Sequence, residues 1–208
     1  MGNLFIAFLA SYLAGAIPTA YIFGRMLKGI DIRKHGSGNV GATNALRVLG
    51  KGPGIVCLAI DIAKGALPVF VLGTYAAMPF PAAYREAVLI GMGICAICGH
   101  TWTVFLNFKG GKGIATTLGV LIGLACSIHG LLLAIGILLA LWTCVFIATR
   151  IVSLASIIAA LSFPFLMFLG KQSLLLCSAS IVLALFVITR HKANIQRLLQ
   201  GTEKKIKF

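Results

Sequence analysis

The chain has 208 residues, of which 60% are hydrophobic and 11% are charged, with a mean hydropathy of +1.04 and a net charge of +14. A soluble domain of this size could not bury so much apolar surface, so the composition excludes a soluble globular protein. The basic residues lie in short segments beside apolar stretches, and these segments are too short to form a folded nucleic-acid-binding module. This arrangement favours membrane topology and anionic membrane lipids over nucleic acid as the partner of the charge.

Hydropathy predicts an all-α bundle of about seven transmembrane helices in a single membrane-integral domain that covers residues 1–208. The first stretch lacks the basic region and cleavage site of a removable signal peptide, so we interpret it as a span. The fourth is the least regular, because only residues 127–130 separate it from the fifth, and a broken or re-entrant pair is the alternative. The predicted spans are 3–24, 54–77, 87–106, 114–128, 131–148, 153–170 and 174–190.

Lysine and arginine concentrate on one side of this topology. Fifteen of the eighteen fall on the face that carries the 25–53 loop and the tail, against Arg85 and Lys171 on the other. The positive-inside rule therefore predicts a cytoplasmic carboxyl terminus and an external amino terminus. The eighteenth, Lys64, lies within the second span three residues after Asp61, where an i,i+3 ion pair would lower the cost of both charges in lipid. A helix-packing pair and a pair lining the site are equally open interpretations.

The cysteines and acidic residues argue against a disulfide framework and a metal site. Free thiols in apolar segments behave as small hydrophobic residues, and Cys95 and Cys98 form a C-x-x-C without a second pair, which favours core packing. The acids are too scattered for a metal cluster or a D-x-x-x-D motif, so we expect no metal and no cofactor. The residues concerned are Cys57, Cys95, Cys98, Cys126, Cys144 and Cys177, and Asp31, Asp61, Glu86 and Glu203.

The first polar segment, HGSGNVGATN at 35–44, follows the first span. Its glycines let the backbone approach a ligand, and its neutral side chains supply hydrogen bonds, which is the chemistry of a phosphate cradle. If a helix begins near Thr43, Arg47 lies one turn further on the same face and can hold a phosphate with two parallel bonds. A turn followed by a helix cap would explain the glycines and Asn44 alone, but not Arg47.

The second segment, GHTWTVFLNFKGGKG at 99–113, runs directly into an apolar stretch. A glycine-rich turn at a helix start offers unpaired N–H groups and the positive end of the helix dipole to an anion, and two lysines add charge. A Walker loop would need glycine at Leu106 and serine or threonine at Gly113, so the segment predicts phosphate binding without nucleotide hydrolysis. We interpret His100 as a packing or orienting residue.

The third segment, RHKANIQR at 190–197 with GTE at 201–203, continues the last span. His191 and Asn194 are i,i+3 neighbours on a helix, so both can point at one ligand. A basic membrane-surface helix would account for the arginines and lysines but not for these two side chains.

Together with RIVSLAS at 150–156, the segments GSGNVGATN…R, GHTWTVFLNFKGGKG and RHKANIQRLLQGTE resemble the three motifs of the bacterial acyl-phosphate:glycerol-3-phosphate acyltransferase family. The resemblance extends from the first span to the tail. It implies transfer of a fatty acyl group from acyl phosphate to the sn-1 hydroxyl of glycerol 3-phosphate, giving lysophosphatidic acid and phosphate. This reaction would belong to phospholipid synthesis at the cell inner membrane, with the active site facing the cytoplasm.

The resemblance also implies roles for particular residues. Ser37 and Arg47 match the acceptor-binding residues of the family, and Glu203 matches a structural glutamate. The residues expected to be catalytic are Ser37, Arg47, Lys112, His191 and Asn194. Those expected to bind substrate are Gly38, Asn39, Gly41, Thr43, Asn44, Gly110, Gly111, Gly113 and Ser156.

Other functions are less well supported by the residues. No histidine is followed by aspartate five positions later, and no G-x-S-x-G elbow occurs, so neither of these acyl-transfer chemistries is expected. A small transporter for phosphate or an organic anion would place its site near the bilayer midplane between repeats, and we find no internal repeat. A lipid scaffold would leave the glycine-rich segment unexplained.

Overall fold

The computed structural model describes residues 2–206, and this range is built from helices and turns with no strand. Two 3₁₀ turns, Ile32–Lys34 and Val104–Leu106, and a π-helical stretch, Pro68–Gly73, link or extend the α-helices. The α-helices are α1 (Gly2–Ala16), α2 (Thr19–Lys28), α3 (Ala42–Leu49), α4 (Lys51–Leu67), α5 (Thr74–Ala77), α6 (Ala82–Thr101), α7 (Ile114–Ala125), α8 (Leu131–Thr149), α9 (Val152–Leu169), α10 (Leu174–Arg190) and α11 (Lys192–Leu199).

Five helical stretches within the described range are long and apolar enough to cross a membrane. They are Asn3–Lys28, Lys51–Ala77, Ala82–Leu106, Leu131–Thr149 and Val152–Leu169. A sixth is counted if α10 and α11, which bend by 62° at their junction, form one span. Helix α7 is apolar but has 12 residues, which rise about 18 Å against a hydrocarbon core of about 30 Å. The all-α membrane architecture is confirmed, while the count of seven spans stays a prediction.

The chain divides into two compact units, which meet in sequence between Ile128 and His129. In the first unit, α1 packs along α6, and α4 packs against both α3 and α7. In the second unit, α9 contacts both α8 and α10. The first two polar segments lie in the first unit and the third lies in the second.

A break separates α1 from α2, because Pro18 has no N–H to continue the helix and its ring crowds the preceding turn. The main-chain carbonyls freed at such a break need donors from the protein, since lipid offers none. The carbonyl of Ala16 accepts from the Thr103 hydroxyl at 2.6 Å, and that of Ile17 accepts from the Lys64 ammonium at 2.7 Å. The break therefore ties the first span to α4 and to the segment that follows α6.

Glycines bring α4 and α7 into backbone contact. A β-carbon on Gly65 of α4 would collide with the carbonyl of Thr116, and one on Gly119 of α7 would collide with the carbonyl of Ile62. Small residues at helix crossings in membranes allow this close approach and the dispersion contacts that come with it. Helix α7 is thereby held against the part of α4 that carries Asp61 and Lys64.

This packing makes Gly65 and Gly52 of α4 differ in their tolerance of a methyl group. Gly65→Ala should destabilise the protein by about 1–3 kcal/mol, the usual cost of forcing apart a well-packed contact. Gly52→Ala is the matched control, since a β-carbon at Gly52 meets nothing within 4 Å and alanine has the higher helix propensity. Thermal unfolding in detergent should give a lower midpoint for Gly65→Ala alone. Equal midpoints for the two variants would contradict the close contact of α4 with α7.

Candidate active site

The loop before α3 is built around the buried side chain of Asn44. Its Oδ1 accepts from the N–H of Ser37 at 2.8 Å, and its Nδ2 donates to the carbonyls of Ile32 at 3.3 Å and His35 at 3.1 Å. A β-carbon on Gly36, which has φ +66°, would collide with the same Oδ1. The side-chain amide of Asn44 thus uses one acceptor site and both donors in hydrogen bonds to the loop, and these bonds determine the shape of the loop. A direct contact of Asn44 with substrate stays a prediction.

Apolar side chains anchor this loop from below. Ile32, Val40, Ala45 and Leu49 are buried in one cluster, and Leu106 of the second polar segment packs into the same cluster. Because the loop and the second segment share an apolar core, their positions are coupled.

The predicted acceptor-binding residues lie along this loop and the helix that follows it. Helix α3 begins at Ala42, which confirms the expected helix start near Thr43. Ser37 is exposed, while Thr43 and Arg47 are half-buried and four residues apart on one face of α3. Of the other predicted residues, Gly38 has φ +72°, Asn39 is half-buried, and Gly41 is buried next to the start of α3.

The glycine-rich loop at 110–113 is attached to the end of α6. The N–H of Gly110 donates to the carbonyl of Thr101 and that of Gly111 to the carbonyl of His100, both at 3.0 Å. These two N–H groups are therefore already used, which differs from the expectation that the glycines offer unpaired donors. An anion at this loop would instead be held by Lys112 and by the N–H groups of Ile114 to Thr116, which have no carbonyl four residues earlier within α7.

Gly111 is the point where the two loops meet. A β-carbon on Gly111 would lie 2.9 Å from the carbonyl oxygen of Val40 in the first loop and would collide with Nε2 of His100. The glycine backbone is thus enclosed by the His100 ring on one side and by the first loop on the other. Glycine is required here by contact, because its φ is ordinary.

Behind the glycine loop lies a buried ion pair. The Asp61 carboxylate is 2.8 Å from Nζ of Lys64, which confirms the i,i+3 pair expected from the sequence. The same oxygen accepts from the Thr19 hydroxyl at 3.2 Å and faces Nδ1 of His100 at 3.8 Å. The sequence did not predict the contacts of Asp61 with Thr19 and His100, because no local spacing pattern relates residues about 40 positions apart.

Two arginines lie against an aromatic ring near the first loop. The guanidinium carbons of Arg25 and Arg33 lie 5.3 and 5.2 Å from the centre of the Tyr21 ring, a cation–π arrangement. Asp31 pairs with Arg33 at 2.7 Å. The hydrogen bond from Arg33 is the main cause that lowers the pKa of Asp31 to about 2, so this carboxylate stays charged at neutral pH. These basic residues have structural partners and were not expected in the site.

In the second unit, His191 lies at the bend between α10 and α11 and is buried. Its Nδ1 is 2.8 Å from the carbonyl of Val187. Because a carbonyl oxygen only accepts, Nδ1 carries the proton, and in a neutral ring Nε2 is the nitrogen with a lone pair. This geometry allows His191 to accept a hydrogen bond from a ligand or to take a proton.

Asn194 and the tail form a hydrogen-bonded network around Glu203. The Glu203 carboxylate accepts from Asn194 at 2.5 Å, from Arg197 at 2.6 Å and from the Ser153 hydroxyl at 2.8 Å. Burial disfavours the charged form of Glu203, but the hydrogen bonds from Arg197, Asn194 and Ser153 outweigh it and lower the pKa of the carboxyl. Glu203 thus positions Asn194, in agreement with the structural role that the resemblance implies.

Ser156, a predicted substrate-binding residue on α9, is buried. Its hydroxyl accepts from the indole N–H of Trp142 on α8 at 3.1 Å. The hydroxyl proton remains available as a donor. The predicted site residues therefore fall into two sets, one around the loops of the first unit and one around His191, Asn194 and Ser156 in the second.

Known proteins resemble this chain along nearly its whole length. The family model described as glycerol-3-phosphate acyltransferase matches residues 5–201. Glycerol-3-phosphate acyltransferases from Gloeobacter violaceus and Fusobacterium nucleatum are 43% and 44% identical to this chain. The alignments cover 95% and 98% of this chain, and 92% and 98% of the respective relatives.

Two solved structures share the fold. They are crystal structures of PlsY, an integral membrane glycerol 3-phosphate acyltransferase, in a glycerol 3-phosphate form and a lysophosphatidic acid form. Their TM-scores are 0.85 and 0.82, with 34% and 33% sequence identity, over 98% of this chain and 96% and 95% of theirs.

Proposed function

This chain belongs to the glycerol-3-phosphate acyltransferase family, and from that premise we propose that its acyl donor is an acyl phosphate and its acceptor the sn-1 hydroxyl of glycerol 3-phosphate. Acylation of glycerol 3-phosphate for phospholipid synthesis is the activity of the family; the donor and the hydroxyl are the finer proposal. The observation that supports it is the glycine loop that leads into α7, in which Lys112 lies two residues before the first residue of the helix. An anion beside the acyl carbonyl fits that electrostatic environment.

The reaction needs alignment more than activation, because acyl phosphate is a mixed anhydride with a good leaving group. The acceptor oxygen attacks the acyl carbon, the bond from that carbon to the phosphate oxygen breaks, and the acceptor proton ends on the released phosphate. Lys112 and the first turn of α7 would stabilise the charge that grows on the tetrahedral oxyanion and the leaving phosphate. Holding both anionic substrates in line supplies the rest of the rate enhancement.

Arg47 and Ser37 are the proposed acceptor-binding residues. Arg47 presents a planar guanidinium with paired donors, and the exposed hydroxyl of Ser37 supplies a neutral donor or acceptor. Gly38, Asn39, Gly41 and Thr43 complete the proposed acceptor site, and Asn44 determines the shape of the loop that carries it. The whole chain acts as one membrane-integral acyltransferase domain in this proposal.

His191 and Asn194 are proposed to bind and orient substrate. The Nε2 lone pair of His191 can accept a hydrogen bond, and Asn194 is fixed in position by Glu203. We assign the acceptor proton to a phosphate oxygen of a bound substrate, because Nδ1 of His191 is bonded to the neutral carbonyl of Val187, which stabilises a charged ring less than a carboxylate would. Ser156 is proposed to contact substrate through its remaining hydroxyl proton.

The membrane arrangement is proposed to have seven crossings, with α7 as the short fourth. The amino terminus lies outside, the carboxyl terminus and the active site face the cytoplasm, and the protein resides in the cell inner membrane. The fifteen-to-two distribution of Lys and Arg across the predicted faces supports this orientation.

Reporter fusions test the topology directly. A periplasm-active reporter such as alkaline phosphatase should be active at the amino terminus, and a cytoplasm-active reporter such as a fluorescent protein should be active at the carboxyl terminus. Both termini on the same side would reject seven crossings and assign α7 to a re-entrant segment.

The donor is tested with purified protein, acyl phosphate and radiolabelled glycerol 3-phosphate. Lysophosphatidic acid and one equivalent of inorganic phosphate should form, while acyl-CoA should be a poor donor because its thioester presents no phosphate beside the carbonyl. Robust turnover of acyl-CoA would overturn the assignment of the glycine loop to the donor.

Arg47→Ala should chiefly raise the KM for glycerol 3-phosphate, by about 10- to 100-fold, since a hydrogen bond to a charged group contributes about 1.5–3 kcal/mol. Arg47→Lys should also be impaired, because an ammonium cannot reproduce the paired bonds. Lys51→Ala is the matched control, as Lys51 is exposed at the start of α4. An unchanged acceptor KM in Arg47→Ala would reject its role.

His191→Asn separates positioning from base catalysis. The variant retains a hydrogen-bonding side chain but has no basic nitrogen, so we expect measurable turnover at saturating substrate. General-base catalysis by His191 would contribute typically 10²–10⁴-fold. A loss of kcat on that scale with an unchanged acceptor KM would show that His191 takes the proton.

A further inference from the structure

A cluster of four buried polar side chains lies beside the glycine loop and has no role in the proposed reaction. Asp61, Lys64, His100 and Thr19 are 2%, 7%, 6% and 4% exposed. They come from α2, α4 and α6, so the cluster joins three separate elements of the first unit.

The carboxylate of Asp61 is the centre of this cluster. It binds Lys64 at 2.8 Å and Thr19 at 3.2 Å, and it faces the His100 ring at 3.8 Å. A buried ion pair contributes little stability over apolar residues of similar volume, because desolvation offsets the attraction. Asp61 balances the charge of Lys64, whose ammonium donates to the freed carbonyl of Ile17, and the same carboxylate oxygen also faces a neighbouring side chain.

The neighbouring side chain is His100, which supports the glycine loop in two ways. Its carbonyl accepts from the Gly111 N–H at 3.0 Å. Its Nε2 occupies the space that a β-carbon on Gly111 would need. Asp61 faces the other nitrogen, Nδ1, at 3.8 Å, which is too long for a hydrogen bond but close enough for the carboxylate to attract an N–H on Nδ1. The ring thus lies between Asp61 and Gly111.

The glycine loop needs such a support. Three glycines in four residues leave the unbraced loop with many accessible conformations. A misplacement of about 1 Å at a binding group can cost about 100-fold in rate. A rigid ring packed against Gly111 restricts the backbone of the loop.

We propose that Asp61 is a positioning residue that acts through His100: it fixes the backbone at Gly111 and thereby the direction of Lys112 and of the first turn of α7 toward the phosphate of the donor. The assignment of that phosphate to the donor rests on the proposed function. The bracing of the loop rests on the geometry of the first unit.

The test uses the double variant Asp61→Asn with Lys64→Gln, called the neutral pair, because Asp61→Asn alone would leave Lys64 buried without its counter-charge. In the neutral pair, the amide oxygen at position 61 can still accept from Thr19. His100→Gln removes the ring, and the triple variant combines both changes. Ser11→Ala is the matched control, since it removes a buried hydrogen bond of 2.7 Å to Met92 between α1 and α6, away from the loop.

We expect the neutral pair to raise the KM for acyl phosphate about tenfold, with the KM for glycerol 3-phosphate unchanged within about twofold. His100→Gln should have a similar effect, and the triple variant should be no worse than the more impaired of the two, because residues that act through one another are not additive. Ser11→Ala should lower the midpoint of thermal unfolding and leave both KM values unchanged.

Hydrogen exchange gives a readout that needs no substrate. The N–H groups of Gly110 and Gly111 are hydrogen-bonded to α6, so the peptide that contains them should exchange about tenfold faster in the neutral pair and in His100→Gln, but not in Ser11→Ala. If the neutral pair fails to fold, Thr19→Val, which removes one bond to Asp61 and no charge, should accelerate exchange of the same peptide to a smaller extent.

Three results would overturn the proposal: unchanged exchange of the loop in the folded variants, an equal rise of both KM values that follows thermal stability, or effects that multiply in the triple variant. Failure of the wild-type protein to use acyl phosphate would count against the proposed donor alone. The exchange of the 110–113 loop would then still decide whether Asp61 and His100 brace it.

Discussion

The structure of the first unit depends on one constraint: carbonyl groups freed at a helix break in a membrane must find donors within the protein. At the break between α1 and α2, Lys64 and Thr103 supply them. Lys64 brings a charge that Asp61 balances, and Thr103 brings the start of the segment that becomes the glycine loop. The interruption of the first span is thus connected to the site by hydrogen bonds and an ion pair.

The side chains assigned to the site are held mainly by main-chain partners or by the tail. Asn44 bonds to three main-chain groups of its own loop, the His191 ring is fixed by the Val187 carbonyl, and Asn194 is fixed by Glu203. In the proposed function, ordering these groups in the folded protein removes an entropic cost that substrate binding would otherwise carry. Both units therefore present preorganised polar groups, although different elements build them.

The sequence predicted the parts of this arrangement that are local. Apolar runs located the helices, the i,i+3 spacing identified the pair of Asp61 with Lys64, and the motifs located the candidate site residues. The sequence did not indicate that the Gly110 and Gly111 N–H groups turn back onto α6, or that His100 lies between Asp61 and the loop. These features are contacts between distant segments, and glycine-rich stretches have too little local preference to reveal them. The short length of α7 likewise left its membrane crossing open.

The position of Gly111 limits how this protein can change over evolutionary time. Its α-carbon is enclosed by the His100 ring and the Val40 carbonyl, so even one added methyl group would displace both loops. A substitution that shifts the backbone of one loop has to be matched by a change in the other loop. Gly111 lies between them and has no side chain that could become smaller. Divergence in this region must therefore proceed by paired changes, and a screen of all single substitutions would find position 111 less permissive than its small side chain suggests.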